Sequence, residues 1–457
     1  MDAYSSIDIT NAYLYANLNT VIYMKQPTGY EIDNNKVCKL RKAIYGLHQS
    51  GRQWFLELEN KLIKLKFKKL EWVNCVYMFE DNVILLFYVD DMILFGKEME
   101  NVNFVLQLLQ KNFDLIIMGK TMKLLGIEFE EIGNSLFIHQ RSYIRRLCEI
   151  YEKYNYPVSS LTIAKGQVLS KLDSPKTSEE ILTVPYRNLI GSLSFIAIRT
   201  RSDIMYAVNV LSQFQANPGI KHWNCLLRLL GYLKYTQEYK LELPKVKSLK
   251  LRCYSDSDFA TNRDDRVSMG GFLTFIDETP ISWRTFKQKS VSLSTMETEY
   301  FSLTEAAKEF IWLKNVINNK SLNLELSENV MFCDNQAAIS FSKSPVENYR
   351  TKHIDVRYHF LRHLIYDKRQ RASPRVTEEP SNKKTPKFHP DRVVAVAEWY
   401  RYRTVACLVT SSSPVPLKTR RVGQRCTLNL SRAEMSSRWC GVVVRRGGAS
   451  SGVVHVT

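Results

Sequence analysis

Val83-Ile84-Leu85-Leu86-Phe87-Tyr88-Val89-Asp90-Asp91-Met92-Ile93-Leu94-Phe95 is two apolar, β-favouring runs broken by two adjacent acids. A third such run, 75–79, precedes it across Glu80-Asp81-Asn82. The pattern predicts an antiparallel meander with Asp90 and Asp91 at one tight turn. Like charges repel there and the flanks are buried, so the pair is either a solvated turn or is neutralised by a cation. For oxygen-only ligands that cation is usually a divalent metal.

Working outward, Trp54, Leu58, Leu62 and Leu65 recur at helical spacing within 49–67, with Lys61, Lys64, Lys66, Lys68 and Lys69 clustered at the end. Val102, Val105, Leu106 and Leu109 predict a second helix, and 136–138 a further strand. The stretch 165–180, rich in Ser and Lys, reads as a linker or surface loop. Helices are expected over 186–215 and 222–235, and strands over 249–254 and 270–276. Leu303, Ala307, Phe310, Leu313 and Ile317 line one face of a helix; 330–333 reads as a short strand and 336–342 as a helix. A second α/β unit is therefore expected over 249–366.

The chain has 457 residues, a length that suggests about three domains. With 45% hydrophobic and 24% charged residues it is not a wholly disordered chain. The net charge of +18 suggests a polyanionic partner, but residues 369–457 hold 17 Lys/Arg and 5 Asp/Glu and so carry +12 of it. That segment has no sustained period and reads as a basic, disordered tail. Nine cysteines without a Cys-x-x-Cys read as reduced thiols. No run is long enough to span a bilayer, and residues 1–10 do not look like a secretory signal. The expected location is intracellular, cytoplasmic or nuclear.

Two further stretches give the acidic pair a context. Ile7-Asp8-Ile9-Thr10-Asn11-Ala12-Tyr13-Leu14 sets an acid in an apolar segment with an aromatic five residues later. Tyr45-Gly46-Leu47-His48-Gln49 lies between the acidic sites, after Pro27-Thr28-Gly29-Tyr30. With Tyr88-Val89-Asp90-Asp91, Leu124-Leu125-Gly126-Ile127-Glu128 and Gln140-Arg141-Ser142-Tyr143-Ile144, these blocks in this order resemble the reverse transcriptase of Copia-type (pseudoviral) LTR retrotransposon Pol polyproteins.

The resemblance implies an RNA-directed DNA polymerase in which Asp8, Asp90 and Asp91 bind two Mg²⁺, with Mn²⁺ as an alternative. Asp8 and Asp90 would be the main ligands. Tyr13 would exclude a 2′-hydroxyl, and Gln49 would contact the templating pair; the plainer readings are a core aromatic and a helix-start cap. Tyr88 would adjoin the nucleotide, and Arg52 would contact nucleic acid. The Lys61–Lys69 cluster would track phosphates or form a solvated helix face.

Farther on, Cys253-Tyr254-Ser255-Asp256-Ser257-Asp258 ends one expected strand, Glu297 and Glu299 open a helix, and Asp334-Asn335 ends another strand. These are three unrelated surface acids or a set converging on a metal pair. Ile281-Ser282-Trp283, the run 294–300, Asp334-Asn335 and Lys352-His353-Ile354-Asp355 resemble the ribonuclease H domain of the same family. The resemblance implies metal binding by Asp256, Asp334 and Glu299 (or Glu297), cleavage of RNA in an RNA–DNA hybrid, and backbone contacts from Arg350, Lys352 and His353.

The expected architecture is mixed α/β (α+β). A reverse transcriptase palm and thumb start occupies 1–160, a helical thumb or connection 161–245, a ribonuclease H-like α/β domain 246–368, and the disordered basic tail 369–457. Partners implied are an RNA template, a DNA primer, RNA–DNA hybrid, dNTPs and other Gag and Pol segments in a virus-like particle, with no membrane. Only seven residues precede Asp8 where the family has its fingers, and the resemblance ends near Asp367, before the family's fourth ribonuclease H carboxylate. The alternative is thus a non-catalytic transposon remnant that only binds nucleic acid.

Overall fold

Strand alternation and helical spacing together build the first of two compact units, Met1–Leu125. The computed structural model describes residues 3–33, 35–120, 122–133, 135–343, 360–361 and 375–377. Six strands form one sheet in the order β2-β3-β4-β5-β1-β6. These are β1 (Ala3–Ile9), β2 (Lys68–Lys69), β3 (Val76–Phe79), β4 (Val83–Tyr88), β5 (Asp91–Gly96) and β6 (Leu115–Gly119). The meander 75–96 is as the sequence predicts. The sheet also inserts β1 beside β5, a non-local pairing that sequence pattern does not reveal.

Helices α1 (Ser50–Lys64) and α2 (Met99–Gln110) bury Trp54, Leu58, Leu62, Val102, Val105 and Leu109 in one core with Ile7, Ile9, Tyr77, Phe87 and Leu94. Helix α1 stops at Lys64, although Leu65 continues the apolar pattern. Lys66 turns left-handed (φ 68°), Phe67 N–H bonds Leu62 O at 2.9 Å, and Lys66 N–H bonds Ile63 O at 2.9 Å. That pair of bonds closes the helix end and packs buried Phe67 over Leu62.

The second unit begins at Gly126. It opens with β7 (Ile127–Ile132) and β8 (Ser135–His139), which pair antiparallel; β9 (Leu241–Leu243) adds to the other edge of β8. Helices α3 (Arg141–Ile150), α4 (Tyr186–Arg199), α5 (Met205–Ser212) and α6 (Ile220–Tyr235) form a bundle around Leu189, Leu193, Ile204, Leu226 and Leu230. Gly231 lies against the chain at Pro157, where a Cβ would sit 1.8 Å from the Pro157 carbonyl oxygen, so only glycine permits this approach.

The helix expected over 186–215 is broken at Thr200–Arg201. Arg201 is 3% exposed, and its guanidinium is forked onto Asp203 and bonded to Thr236 O at 3.0 Å. A continuous helix could not turn that side chain into the bundle. The segment 165–180 is a loop, as expected, with two short 3₁₀ turns. It is anchored: the Ser170 hydroxyl donates to Asp264 Oδ1 at 2.5 Å, and Ser170 O accepts from His222 Nε2 at 3.1 Å.

His222 is fully buried, stacks on Phe214 with centroids 4.0 Å apart, and accepts the Gly219 N–H on Nδ1 at 3.0 Å. Burial depresses its pKa below the ordinary 6.5, so it is held neutral in the fold. His139 is depressed by burial in the same way. The unfolded chain takes up these protons first as pH falls. Stability is therefore intact above the unfolded value of 6.5 and is lost as pH drops below it toward the folded values. Urea unfolding is expected to show losses of up to about 1.4 kcal/mol per pH unit per histidine there. His222→Asn is expected to remove one proton's share of that slope; an unchanged slope would contradict this account.

The remaining strands make a mixed sheet, in the order β12-β11-β10-β13-β14. They are β10 (Lys250–Ser257), β11 (Met269–Ile276), β12 (Thr279–Lys287), β13 (Glu328–Cys333) and β14 (Arg375–Thr377). The first three in chain order are antiparallel; β13 and β14 continue the sheet in parallel. Helix α7 (Thr295–Ile317) packs on β10 and β11, and α8 (Gln336–Lys343) follows β13. Trp283, Phe310, Leu303, Leu251 and Cys253 lie in the shared core.

Two elements of this sheet depart from the sequence reading. Strand β12 was not foreseen as a strand: Pro280 interrupts its pattern, and it is tolerated because β12 is an edge strand with a register shift at that point. Residues 375–377, placed by the sequence in an unstructured tail from 369, form β14, with Val376 4% exposed in the core. Three residues are too few to display a period, and their pairing with β13 is set at long range. The remainder of the basic tail, 369–374 and 378–457, lies outside the described residues. Among the described residues no helix is long and apolar enough to cross a membrane.

Candidate active sites

The first acidic site is assembled by strand register. Asp8 on β1 lies opposite Asp91 on β5, and Tyr88 on β4 lies opposite Asp91 from the other side. Directly opposed residues project to the same face, while Ile7 and Ile9 alternate into the core. Asp90 occupies the two-residue turn after Val89, and its carbonyl accepts the Ile9 N–H at 3.0 Å. Val89 has φ 57°, a left-handed conformation that is costly for a β-branched residue. The indole N–H of Trp54 holds this turn by donating to Val89 O at 2.9 Å.

Tyr45 donates its hydroxyl to Asp90 Oδ2 at 2.9 Å and meets Tyr13 with ring centroids 4.5 Å apart. Burial, then the negative field of Asp90, pushes the Tyr13 phenol up to about 12. Tyr45 is raised by burial and by its bond to Asp90. Both rings are therefore neutral hydrogen-bonding groups at working pH. Tyr13 is buried against Tyr45, combining a packing position with closeness to the acids. Tyr45 and Trp54, given no role from sequence, are what fix the turn. In the sequence Tyr45 stood out only as part of the block between the acidic motifs, and Trp54 only as a residue on the apolar face of the expected helix.

Gln49 stands at the N-cap of α1 without a side-chain capping bond; its amide donates to Thr20 Oγ1 at 3.5 Å. Arg52 is exposed on the first turn of α1, and Tyr88 is exposed at the end of β4. Lys61 and Lys69 serve the fold. Lys61 lies over the rings of Tyr15 and Phe113, and Lys69 pairs with Glu59 at 2.9 Å. Lys64, Lys66 and Lys68 are exposed. Arg350, Lys352 and His353 lie outside the described residues.

The second acidic site sits at the carboxyl ends of parallel β10 and β13. Asp256 is near the end of β10, Cys333 ends β13 and Asp334 follows it; the register pairs Ser255 with Cys333. Helix α7 brings Glu299 to them. Glu299 is 5% exposed; its Oε1 accepts the Ser257 N–H at 3.1 Å, and its Oε2 is buried with no hydrogen-bond partner among the described residues. Burial, then Asp256 and Asp334, pushes its pKa up to about 9. That is the response of a carboxylate held among others without a cation.

Glu297 has a different task. Its Oε2 accepts the Leu293 N–H at 2.7 Å, while the Ser294 hydroxyl oxygen accepts the Glu297 N–H at 3.2 Å. It closes the N-terminus of α7. Gly270 on β11 lets α7 approach: a Cβ there would sit 2.1 Å from Ser302 Oγ. Beside Asp256 and Asp258 opens a cavity of about 230 Å³, with Tyr206 and Thr261 in its wall.

The two sites differ in closeness. Among the described residues, Glu299, Cys333 and Asp334 form the one group of three ligand-bearing side chains whose atoms lie within 4.8 Å of one another. Asp256 lies outside that group, and Asp8, Asp90 and Asp91 form no such group. Cys333, absent from the sequence-derived site, joins the cluster because parallel pairing puts the last residue of β13 beside β10.

Residues 3–163 match the family model described as reverse transcriptase (RNA-dependent DNA polymerase). Over 372 residues the chain is 38% identical to the retrovirus-related Pol polyprotein from transposon TNT 1-94 of Nicotiana tabacum, a match covering 79% of this chain and 28% of that one. It is 34% identical over 365 residues to the corresponding polyprotein from transposon RE1 of Arabidopsis thaliana (79% and 24%). It is 25% identical over 367 residues to the transposon Ty1-GR2 Gag-Pol polyprotein of Saccharomyces cerevisiae (75% and 20%). The chain thus spans between 20% and 28% of these relatives' length.

Proposed function

From the premise that this chain belongs to the retrovirus-related Pol polyproteins of transposons and carries their reverse transcriptase domain, we propose that it is a Copia-type RNA-directed DNA polymerase joined to a ribonuclease H-like domain. What carries the reading is the register that sets Asp8 opposite Asp91, with Asp90 in the adjoining turn, inside the segment matched by the family model. Support for the second domain comes from the convergence of Asp256, Glu299 and Asp334 at the ends of two parallel strands.

Both donor sets suit Mg²⁺, a hard cation that prefers oxygen, and the buried, unsatisfied Oε2 of Glu299 is a vacant acceptor of the right kind. Asp8, Asp90 and Asp91 would hold Mg²⁺ in the first site; Asp256, Glu299 and Asp334 would hold it in the second. Bound there, the cation supplies charge neutralisation at the attacking and leaving oxygens. The chain's own residues supply order. Tyr45 fixes the rotamer of Asp90, Trp54 pins the strained turn, and Tyr13 presents a rigid wall against which a ribose would be judged for its 2′-hydroxyl. Ser257 N–H orients Glu299. Gln49, Tyr88 and Arg52 would meet the template–primer and the incoming dNTP. Hybrid would be read through shape, phosphates and 2′-hydroxyls.

A second reading, a non-catalytic segment that binds nucleic acid, is favoured by the looser spacing of Asp8, Asp90 and Asp91. One assay separates the two: full chain, primed RNA template, dNTPs and Mg²⁺, with Asp90→Asn alongside. Extension that falls by about 10²–10³ in the variant supports the polymerase. Salt-sensitive hybrid binding with no extension by the unmodified chain supports the second reading.

A further inference from the structure

The thiol of Cys333 sits where an all-oxygen magnesium site has no use for it. It is 2% exposed at the end of β13, and its sulfur lies within 4.8 Å of ligand oxygens of both Glu299 and Asp334. Glu299 Oε2 is buried beside it with no hydrogen-bond partner among the described residues, whereas Asp334 is exposed and gives solvent access. One sulfur and two carboxylates are a mixed donor set. Sulfur does not serve Mg²⁺ but selects softer cations, and a four-coordinate ion needs only one further ligand, such as water.

We propose that Cys333, Glu299 and Asp334 form a site for thiophilic divalent cations, Zn²⁺ or Cd²⁺, which occupy it in competition with Mg²⁺ or Mn²⁺. The inference rests on the reading above that Glu299 and Asp334 hold a divalent cation. On binding, the Cys333 S–H bond breaks, its proton passes to solvent and the sulfur's electron pair forms the bond to the metal; no redox change is involved. The consequence is a ribonuclease H-like site that Zn²⁺ shuts down by displacing the working ion.

The test uses the full chain and Cd²⁺ as the probe, reading the ultraviolet thiolate-to-cadmium band and the displacement of Mn²⁺ by electron paramagnetic resonance. The part of the band that depends on Glu299 is expected to vanish in both Cys333→Ser and Glu299→Gln. The ratio of Cd²⁺ to Mn²⁺ affinity is expected to fall at least about tenfold in Cys333→Ser. Cys333→Ala, which adds no buried hydroxyl, repeats the measurement should the serine variant fold poorly. If both sulfur-free variants keep the wild-type ratio while Glu299→Gln loses the share of Mn²⁺ bound at this site, the thiol site is overturned and the carboxylate reading stands. If Glu299→Gln holds Mn²⁺ as the unmodified chain does, both are overturned.

Discussion

Arg201→Ala is expected to destabilise the second unit by about 3–5 kcal/mol, a large fraction of the roughly 5–15 kcal/mol that holds an ordinary domain folded. Arg201 is 3% exposed and Asp203 6% exposed. The guanidinium donates to both Asp203 oxygens (2.9 and 3.2 Å from Nε, 2.6 Å from Nη2) and to Thr236 Oγ1 at 2.5 Å and Thr236 O at 3.0 Å. Tyr232 completes the cluster by donating to Asp203 Oδ2 at 2.8 Å. The network ties the start of α5 to the end of α6. Removing the cation leaves the Asp203 carboxylate buried without its charge partner, a larger loss than the pair's own net contribution. Arg201→Lys is expected to recover only part of it, because an ammonium cannot reproduce the fork. Urea unfolding followed by circular dichroism measures the loss; a change below about 1 kcal/mol in the alanine variant would overturn this account.

Under the proposed ribonuclease H reading, Glu299→Gln is expected to lower Mg²⁺-dependent cleavage of RNA in a hybrid by about 10²–10³-fold, the scale for losing one preorganised charged group. The same variant is expected to keep its thermal midpoint in EDTA. With its pKa pushed up to about 9 by burial and by Asp256 and Asp334, Glu299 is neutral in the metal-free fold, and glutamine copies that form. Through this site, Mg²⁺ at ten times its dissociation constant should add about 1.4 kcal/mol of stability to the second unit of the unmodified chain and almost none to that unit of the variant. A midpoint that rises equally in both with Mg²⁺ would exclude Glu299 as a ligand, whatever happens to cleavage. Glu297→Gln is a useful contrast: it weakens the cap of α7, so its effect should appear in EDTA as well.

Much of the fold was legible because its signals are local. Apolar alternation over 75–96 and the helical spacing of Trp54, Leu58 and Leu62 appear at nearly the predicted places. The break at Thr200 was not legible: its cause, Thr236 and Tyr232, lies more than thirty residues away. Nor was the choice between Glu297 and Glu299, two residues apart on the same helix opening. One closes the helix and the other faces Asp256 and Asp334, a division that only the packing of α7 on β10 makes.

The sequence by itself determined the family and nominated the acids, because ordered motif blocks and residue chemistry are properties of the chain read in line. It also located the excess positive charge in residues 369–457. Tertiary structure alone decided the company those acids keep. Antiparallel register put Asp8 opposite Asp91, and parallel register put Ser255 beside Cys333 and so carried a thiol into a carboxylate cluster. Register is set by hydrogen bonds between strands far apart in sequence. A side chain's neighbours across a sheet therefore leave no periodic trace in either strand.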